Sequence, residues 1–431
     1  MKRTSLILVA VMLVLGVLCV GIAPWSSVRA AGNSPLADID AKAQARTTAH
    51  ARVTLAENAG LKEAETKDLL EEGRVPNYLR AFSGYPGGAA AFAHLLKAVL
   101  YSGELEPEVK LGMGLRVAQA YGTPYVAIHT ERLLRATPRG QALLVAIRSE
   151  NLDSIAPADR LALKYADWLT PDVHGVSDDD FRLVRGYFND SQVVELTLTV
   201  CFFNYFTRMS EAFNLPVEPW VFDAPAKLAM PPADPPVARV GLITDAEMQG
   251  TRDMRDALNN PKNPASSWGI GFANSMRAML RSPEIAIAWR DYGSSVRQSA
   301  AIDREIQLQV SFAVSTANGC RYCTLHQVVG LHRLGVSMSK LMAMKKDDDA
   351  LTPPERTAVL FARKLTRDPV SVTDADYAIL HTEFGDRGAS DVVLQTCAFA
   401  FMNRFTDGLR LPSEDEAVRV YRQVYGADWK Q

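Results

Sequence analysis

The residue types in this chain best suited to chemistry lie in one stretch, Asn318-Gly319-Cys320-Arg321-Tyr322-Cys323-Thr324-Leu325-His326. Two cysteines three apart, with a histidine three further on, fall close to one face of a helix that starts at Asn-Gly. That spacing brings the two α-carbons within the roughly 4.4–6.8 Å that a disulfide spans. The thiolate is the reactive form, and a helix N-terminus favours it, which points to Cys320. His326, one turn beyond Cys323, is placed to take the proton of Cys323 instead. The residues alone therefore leave two candidates for the attacking sulfur.

Competing chemistries have less to stand on. A closed zinc site needs about four ligands, and no second C-x-x-C and no H-x-x-x-H occurs, so no metal is expected. No G-x-S-x-G, P-loop or G-x-G-x-x-G is present, so serine-nucleophile and nucleotide chemistry lack support and no cofactor is expected. His332 and His381 have no acid or thiol at a telling spacing. Glu108 and Glu305 read as solvated residues at helix starts.

The rest of the chain must position these groups. Its 431 residues exceed one ordinary core, and 48% hydrophobic with 22% charged residues is the composition of a folded protein. A net charge of -2 without a basic block argues against nucleic acid as a partner. Lys2 and Arg3 precede a run from Leu6 to Ala23 that carries no charge, followed by Val28-Arg29-Ala30. This is the layout of a secretory signal over residues 1–31, with an uncleaved membrane anchor as the alternative. The folded part is thus expected to be exported, to a periplasmic or extracellular compartment. Cys201 and Cys397 each sit in an apolar helical run and read as buried, inert thiols.

A repeat organises what remains. At a shift of 196, Ile155-Ala156-Pro157-Ala158-Asp159-Arg160 meets Leu351-Thr352-Pro353-Pro354-Glu355-Arg356, and Cys201, Arg208 and Leu215-Pro216 meet Cys397, Arg404 and Leu411-Pro412. At a shift of 197, Ala120 to His129 meets Ala317 to His326. The first half therefore carries Thr123, Tyr125, Val126 and His129 where the second carries Cys320, Tyr322, Cys323 and His326. Tyrosine and histidine recur, while the thiols belong to the second half alone.

The spacing of apolar residues predicts helices throughout. Residues 37–73 read as helices with a polar face, as does Tyr78–Tyr101, broken at Pro86-Gly87-Gly88; Glu108–Tyr121 should end at Gly122. Thr352, Ser177 and Thr373 read as helix caps followed by acids. The fold class is all-α: two tandem domains, 37–216 and 246–425, joined by a proline-rich linker over 217–245.

The motif Asn318-Gly319-Cys320-Arg321-Tyr322-Cys323 with its histidine, together with Val75-Pro76-Asn77, Leu79-Arg80-Ala81 and Ser102-Gly103-Glu104-Leu105, resembles the alkylhydroperoxidase D-like and carboxymuconolactone decarboxylase superfamily. The resemblance covers approximately residues 70–216 and 265–412. It implies a helical fold that assembles into homo-oligomers, and a thiol peroxidase of the alkyl hydroperoxide reductase or peroxiredoxin type, or a thiol–disulfide oxidoreductase. In that scheme Cys323 attacks a small hydroperoxide, Cys320 resolves the product to a redox-active disulfide, His326 moves protons, and an external thiol restores the pair. Two departures stand out. His326 lies one residue closer to the second cysteine than in many peroxidase members, and Leu308 (Leu111 in the first half) replaces their relay glutamate. The alternatives are a carboxymuconolactone decarboxylase-like enzyme and a non-catalytic exported scaffold whose C-x-x-C is a structural disulfide.

Overall fold

The computed structural model describes residues 35–57, 59–62, 74–222, 242–244, 247, 273–298, 300–344 and 350–425. The expected signal segment lies outside these residues, as do 223–241 and 245 of the expected linker and all of 246–272 except Glu247. Every regular element among the described residues is helical, and none is long and apolar enough to cross a membrane.

The first half runs α1 (Leu36–Ala45), α2 (Asn77–Arg80), α3 (Gly88–Tyr101), α4 (Pro107–Tyr121), α5 (Pro124–Leu134), α6 (Pro138–Arg148), α7 (Pro157–Leu169), α8 (Asp178–Tyr187) and α9 (Asp190–Ala212). The second runs α10 (Asn274–Met279), α11 (Pro283–Gln298), α12 (Arg304–Ala317), α13 (Arg321–Arg333), α14 (Met338–Met344), α15 (Pro353–Arg367), α16 (Asp374–Gly408) and α17 (Asp415–Tyr425).

Local sequence explains most boundaries. Proline occupies the first turn of α4, α5, α6, α7 and α15, where its missing N–H costs nothing. Ser177, Thr352 and Thr373 close capping boxes with Asp180, Glu355 and Asp376, as their sequence suggests. Helix α4 ends at Gly122. The long α16 contains a break at Gly385, φ 66 and ψ 179, a backbone region in essence reserved for glycine. Its two arms, before and after Gly385, match α8 and α9 in sequence.

Two expectations fail. Among the described residues, 46–57 and 59–62 do not continue α1, Arg46–Thr48 forming only a 3-10 turn, while 63–73 of the expected helical stretch lie outside the described residues. The Arg46 guanidinium reaches the Leu215 and Ser210 carbonyls, each at 2.7 Å, and pairs with Glu211 at 2.5 Å, so tertiary anchoring overrides helix propensity there. Glu108 is not solvated: it is 3% exposed and accepts a 2.9 Å hydrogen bond from Thr137. Glu305 is half-buried and holds Lys340 at 2.6 Å.

Within each half, α4 packs on α5 and α7, and α12 on α13 and α15. Between them, α9 lies along α16 and α3 along α11. One apolar core runs through both halves, and Trp289 stacks on Phe401 within it at 3.9 Å between centroids. At its centre Arg208 and Arg404, both fully buried, cross over. Arg208 donates to the Thr366 carbonyl (3.1 Å), Arg404 to that of Thr170 (2.7 Å), and both donate to the Tyr121 hydroxyl (2.7 and 3.0 Å). The described residues all belong to one compact unit. A second apolar cluster joins α17 through Ala417, Val420, Tyr421 and Val424 to Leu308, Leu325 and Val328, covering the outer side of α13.

Candidate functional site

Cys320 is the N-cap of α13, and its Sγ accepts the Cys323 backbone N–H at 3.3 Å. The chain arrives through Gly319 at φ 70. A Cβ there would also stand 3.2 Å from Nε2 of His174, so both conformation and space call for glycine. The cap sets the pair: Cys320 at the helix entrance, Cys323 one turn on, both on the side facing α16. Both thiols are free. They are also enclosed, at 0% and 4% exposure, in a small apolar cluster with Tyr322, Met402 and Leu411.

The hydroxyl of Thr406 on α16 lies 3.3 Å from each sulfur and also 3.0 Å from the Met402 carbonyl. A hydroxyl has one proton and two lone pairs. Donating to Met402, it receives both thiols; rotated, it donates to whichever sulfur becomes negative. Burial, then the neighbouring Cys323 and Asp407, push the Cys320 thiol well above its ordinary range. Asp407, next along α16, is 11% exposed, and its Oδ2 has no hydrogen-bond partner among the described residues.

His326 is built into a different set of contacts. Its Nδ1 lies 2.7 Å from the Tyr322 carbonyl oxygen and its Nε2 2.7 Å from Oε2 of Glu414. The Tyr322 hydroxyl donates to Oε1 of Glu414 at 2.9 Å and accepts the Ser275 N–H at 3.2 Å, while the Asn274 N–H reaches Glu414 at 2.6 Å. Burial works to raise the Glu414 carboxyl, but the hydrogen bond and charge of His326, with the Asn274 amide, hold it down at about 2.

The same clasp stands in the first half. His129 Nε2 lies 3.0 Å from Oε2 of Glu218, Tyr125 donates to Oε1 of Glu218 at 2.9 Å, and Tyr125 accepts the Tyr78 N–H at 3.1 Å. The Asn77 N–H bonds Glu218, and the side-chain amides of Asn77 and Asn274 reach the carbonyls of Pro216 (2.9 Å) and Pro412 (3.2 Å). Here Thr123 and Val126 stand in place of the cysteines, both fully buried.

The structure thus brings Cys320 and Cys323 together, and sets His326 in a clasp with Glu414 and Tyr322. Four further polar residues were missed from sequence: Thr406, Asp407, Glu414 and His174. Glu414 carried a readable signal, since the shift of 196 that pairs Pro216 with Pro412 also pairs Glu218 with Glu414. Among the described residues no group of three His, Cys, Asp or Glu is arranged to hold a metal.

No family model matches the chain, and no curated protein matches it in sequence. Among solved structures it is similar to the apo form of the debrominase Bmp8, at 21% identity and a TM-score of 0.36 over 40% of this chain and 95% of that one. It is similar, too, to a cysteine-to-alanine variant of that debrominase in complex with 2,3,4-tribromopyrrole, at 19% identity and a TM-score of 0.36 over 40% of this chain and 94% of the other. Likeness at this level carries no statement about activity.

Proposed function

We propose that the chain is an exported thiol peroxidase, or more broadly a thiol–disulfide oxidoreductase, acting through Cys323 and Cys320. The supporting observation is the pair of free, enclosed thiols that share the Thr406 hydroxyl beside the Asp407 carboxyl. Cys323, the more exposed of the two, attacks the terminal oxygen of a hydroperoxide. The O–O bond breaks, an alcohol leaves with the thiol proton, and the sulfur becomes a sulfenic acid. Cys320 then displaces water to close the disulfide, and an external dithiol reopens it by exchange. The Cys323 N–H at Cys320 Sγ, at the positive end of α13, favours negative charge on Cys320 when that bond is cut. His326, cast as proton carrier by the family resemblance, also holds the clasp, so its share in turnover has to be measured against His129.

In the same reading, domains 37–216 and 246–425 arose by tandem duplication and are joined through 217–245, the first having lost its thiols. The constant sequence offset and the repeated clasp support this. Residues 1–31 direct export, and the chains associate with one another.

The test uses the full chain, an alkyl hydroperoxide and a dithiol reductant. Cys323→Ser is expected to reduce peroxide consumption to the protein-free rate. A Cys320→Ser/Cys323→Ser double variant that turned over as fast as wild type would sink the proposal.

A further inference from the structure

Asp407 is a buried acid that the clasp does not use. Its Oδ2 faces inward without a hydrogen-bond partner among the described residues, and an orphaned buried carboxyl oxygen calls for an explanation. Two groups approach it. The Cys320 thiol is near enough for each group to shift the other's ionisation, and Thr406, the residue before Asp407 on α16, holds its hydroxyl 3.3 Å from the Cys320 sulfur. His174, from the loop between α7 and α8 in the first half, places Nε2 3.9 Å from Oδ2 and 3.2 Å from the Gly319 carbonyl oxygen. The corresponding acid of the first half, Glu211, is instead tied to Arg46 at 2.5 Å.

We propose that Asp407 is the proton acceptor for Cys320 in the step that closes the disulfide, with His174 a positioning residue contributed by the other half of the chain. The inference rests on the thiol-peroxidase reading. In that step the Cys320 sulfur bonds to the Cys323 sulfur and the S–O bond of the sulfenic acid breaks. The Cys320 proton passes to Asp407 and on to the departing oxygen, which leaves as water. The Cys320 sulfur is oxidised as the sulfenic sulfur is reduced, the hydroperoxide of the preceding step being the overall oxidant.

The charges around the group fit this task. Burial pushes the Asp407 carboxyl up to about 6; His174 and Cys320 pull it down, and Asp172 on the same loop pushes it up. The nearby arginines are engaged elsewhere, Arg404 with Tyr121 and Thr170, Arg410 with Asp178. A thiol that resists ionising by itself therefore meets a carboxylate that is an acceptor at neutral pH and a donor once loaded.

Reduced full-length protein is mixed with one equivalent of tert-butyl hydroperoxide, and Cys323 sulfenic acid and disulfide are followed by dimedone trapping and mass across pH 5–8. The wild type is expected to close its disulfide with an inflection near pH 6. In Asp407→Asn closure slows on the order of 100-fold, the inflection disappears and sulfenic acid accumulates; Asp407→Glu recovers part of the rate. His174→Gln, at a side chain that is itself largely exposed, moves the inflection upward because a pull toward the ionised carboxylate is lost. An Asp407→Asn protein that closes at the wild-type rate, or an inflection unmoved by His174→Gln, overturns the inference. A wild type that forms neither sulfenic acid nor disulfide after the peroxide is added overturns the peroxidase reading itself, a result distinct from slow closure in either variant.

Discussion

The two halves hold the same clasp and differ in what surrounds it. Tyr125, His129 and Glu218 in one, and Tyr322, His326 and Glu414 in the other, share their bonds to each other and to the amides of the segment before α3 or α11. In the first half Trp220 closes over His129, with the Arg132 guanidinium 5.1 Å from its ring. The second half has Glu416 at the Trp220 position, and next to the helix entrance it keeps two thiols, a hydroxyl and an acid with one oxygen left without a hydrogen bond among the described residues. The clasp is thus a packing device that serves with or without chemistry beside it. What distinguishes the second half is the treatment of one carboxyl: Glu211 is neutralised by Arg46, and Asp407 is not neutralised by an arginine.

The largest test of that contrast is transplantation. Thr123→Cys/Val126→Cys, introduced in a Cys320→Ser/Cys323→Ser background, restores a C-x-x-C at a helix entrance but leaves the acid paired to Arg46. Peroxide consumption is expected to stay at the protein-free rate; turnover within a few-fold of wild type would show that the surroundings do not matter.

Next come the two histidines. His129→Ala and His326→Ala each leave a buried carboxylate without its partner, so each should cost about 3 kcal/mol in a denaturant titration. If His326→Ala slows disulfide formation in the folded protein far beyond what His129→Ala does, His326 has a chemical role besides the clasp. The pH dependence carries a sign. Glu414 has its folded value depressed to about 2 from 4.5, so its contribution is full above about 4.5 and fades as pH falls from there toward 2. That part of the acid destabilisation should be missing in His326→Ala.

The two acids should respond in opposite directions. Asp407 has its folded value raised to about 6 from 3.8, which disfavours the folded state as pH rises through that interval. Asp407→Asn is therefore expected to gain on the order of 1–3 kcal/mol at pH 7, two pKa units being worth about 2.7 kcal/mol. Glu211→Gln is expected to lose about 1–2 kcal/mol, because Arg46 keeps its charge with a weaker partner. Thermal melts at pH 7 read both, and equal signs would break the contrast. The smallest effect is Gly385→Ala, about 1 kcal/mol, arising from backbone conformation alone since a Cβ there meets no neighbour.

Much of this architecture was legible in the sequence because its signals are local. Proline in the first turn, Ser and Thr caps followed by acids, and Gly122 after α4 act over a few residues, and the structure uses them where they stand. The cysteine pair was visible for the same reason. Glu414 needed the repeat to be followed two residues past Pro412. Thr406 and Asp407 sit inside an amphipathic stretch where a threonine and an aspartate look like any solvated turn of helix, and only packing against α13 turns them inward. His174 carries no local signal at all: its meaning comes from Gly319 and Asp407, more than a hundred residues away. Arg46 shows the converse, a tertiary anchor that ended a helix its neighbours would have continued.

The crossing of Arg208 and Arg404 at Tyr121 has an implication for assembly. Each guanidinium reaches a carbonyl of the opposite half, and both end on one phenol, for which the second half has Asn318. Two identical subunits meeting face to face would bring two phenols to a place that holds one, since symmetry copies every side chain. A single polypeptide escapes that doubling and can keep an odd-numbered group at its own centre. Severing the chain between its halves should therefore yield fragments that recombine with each other and not with themselves.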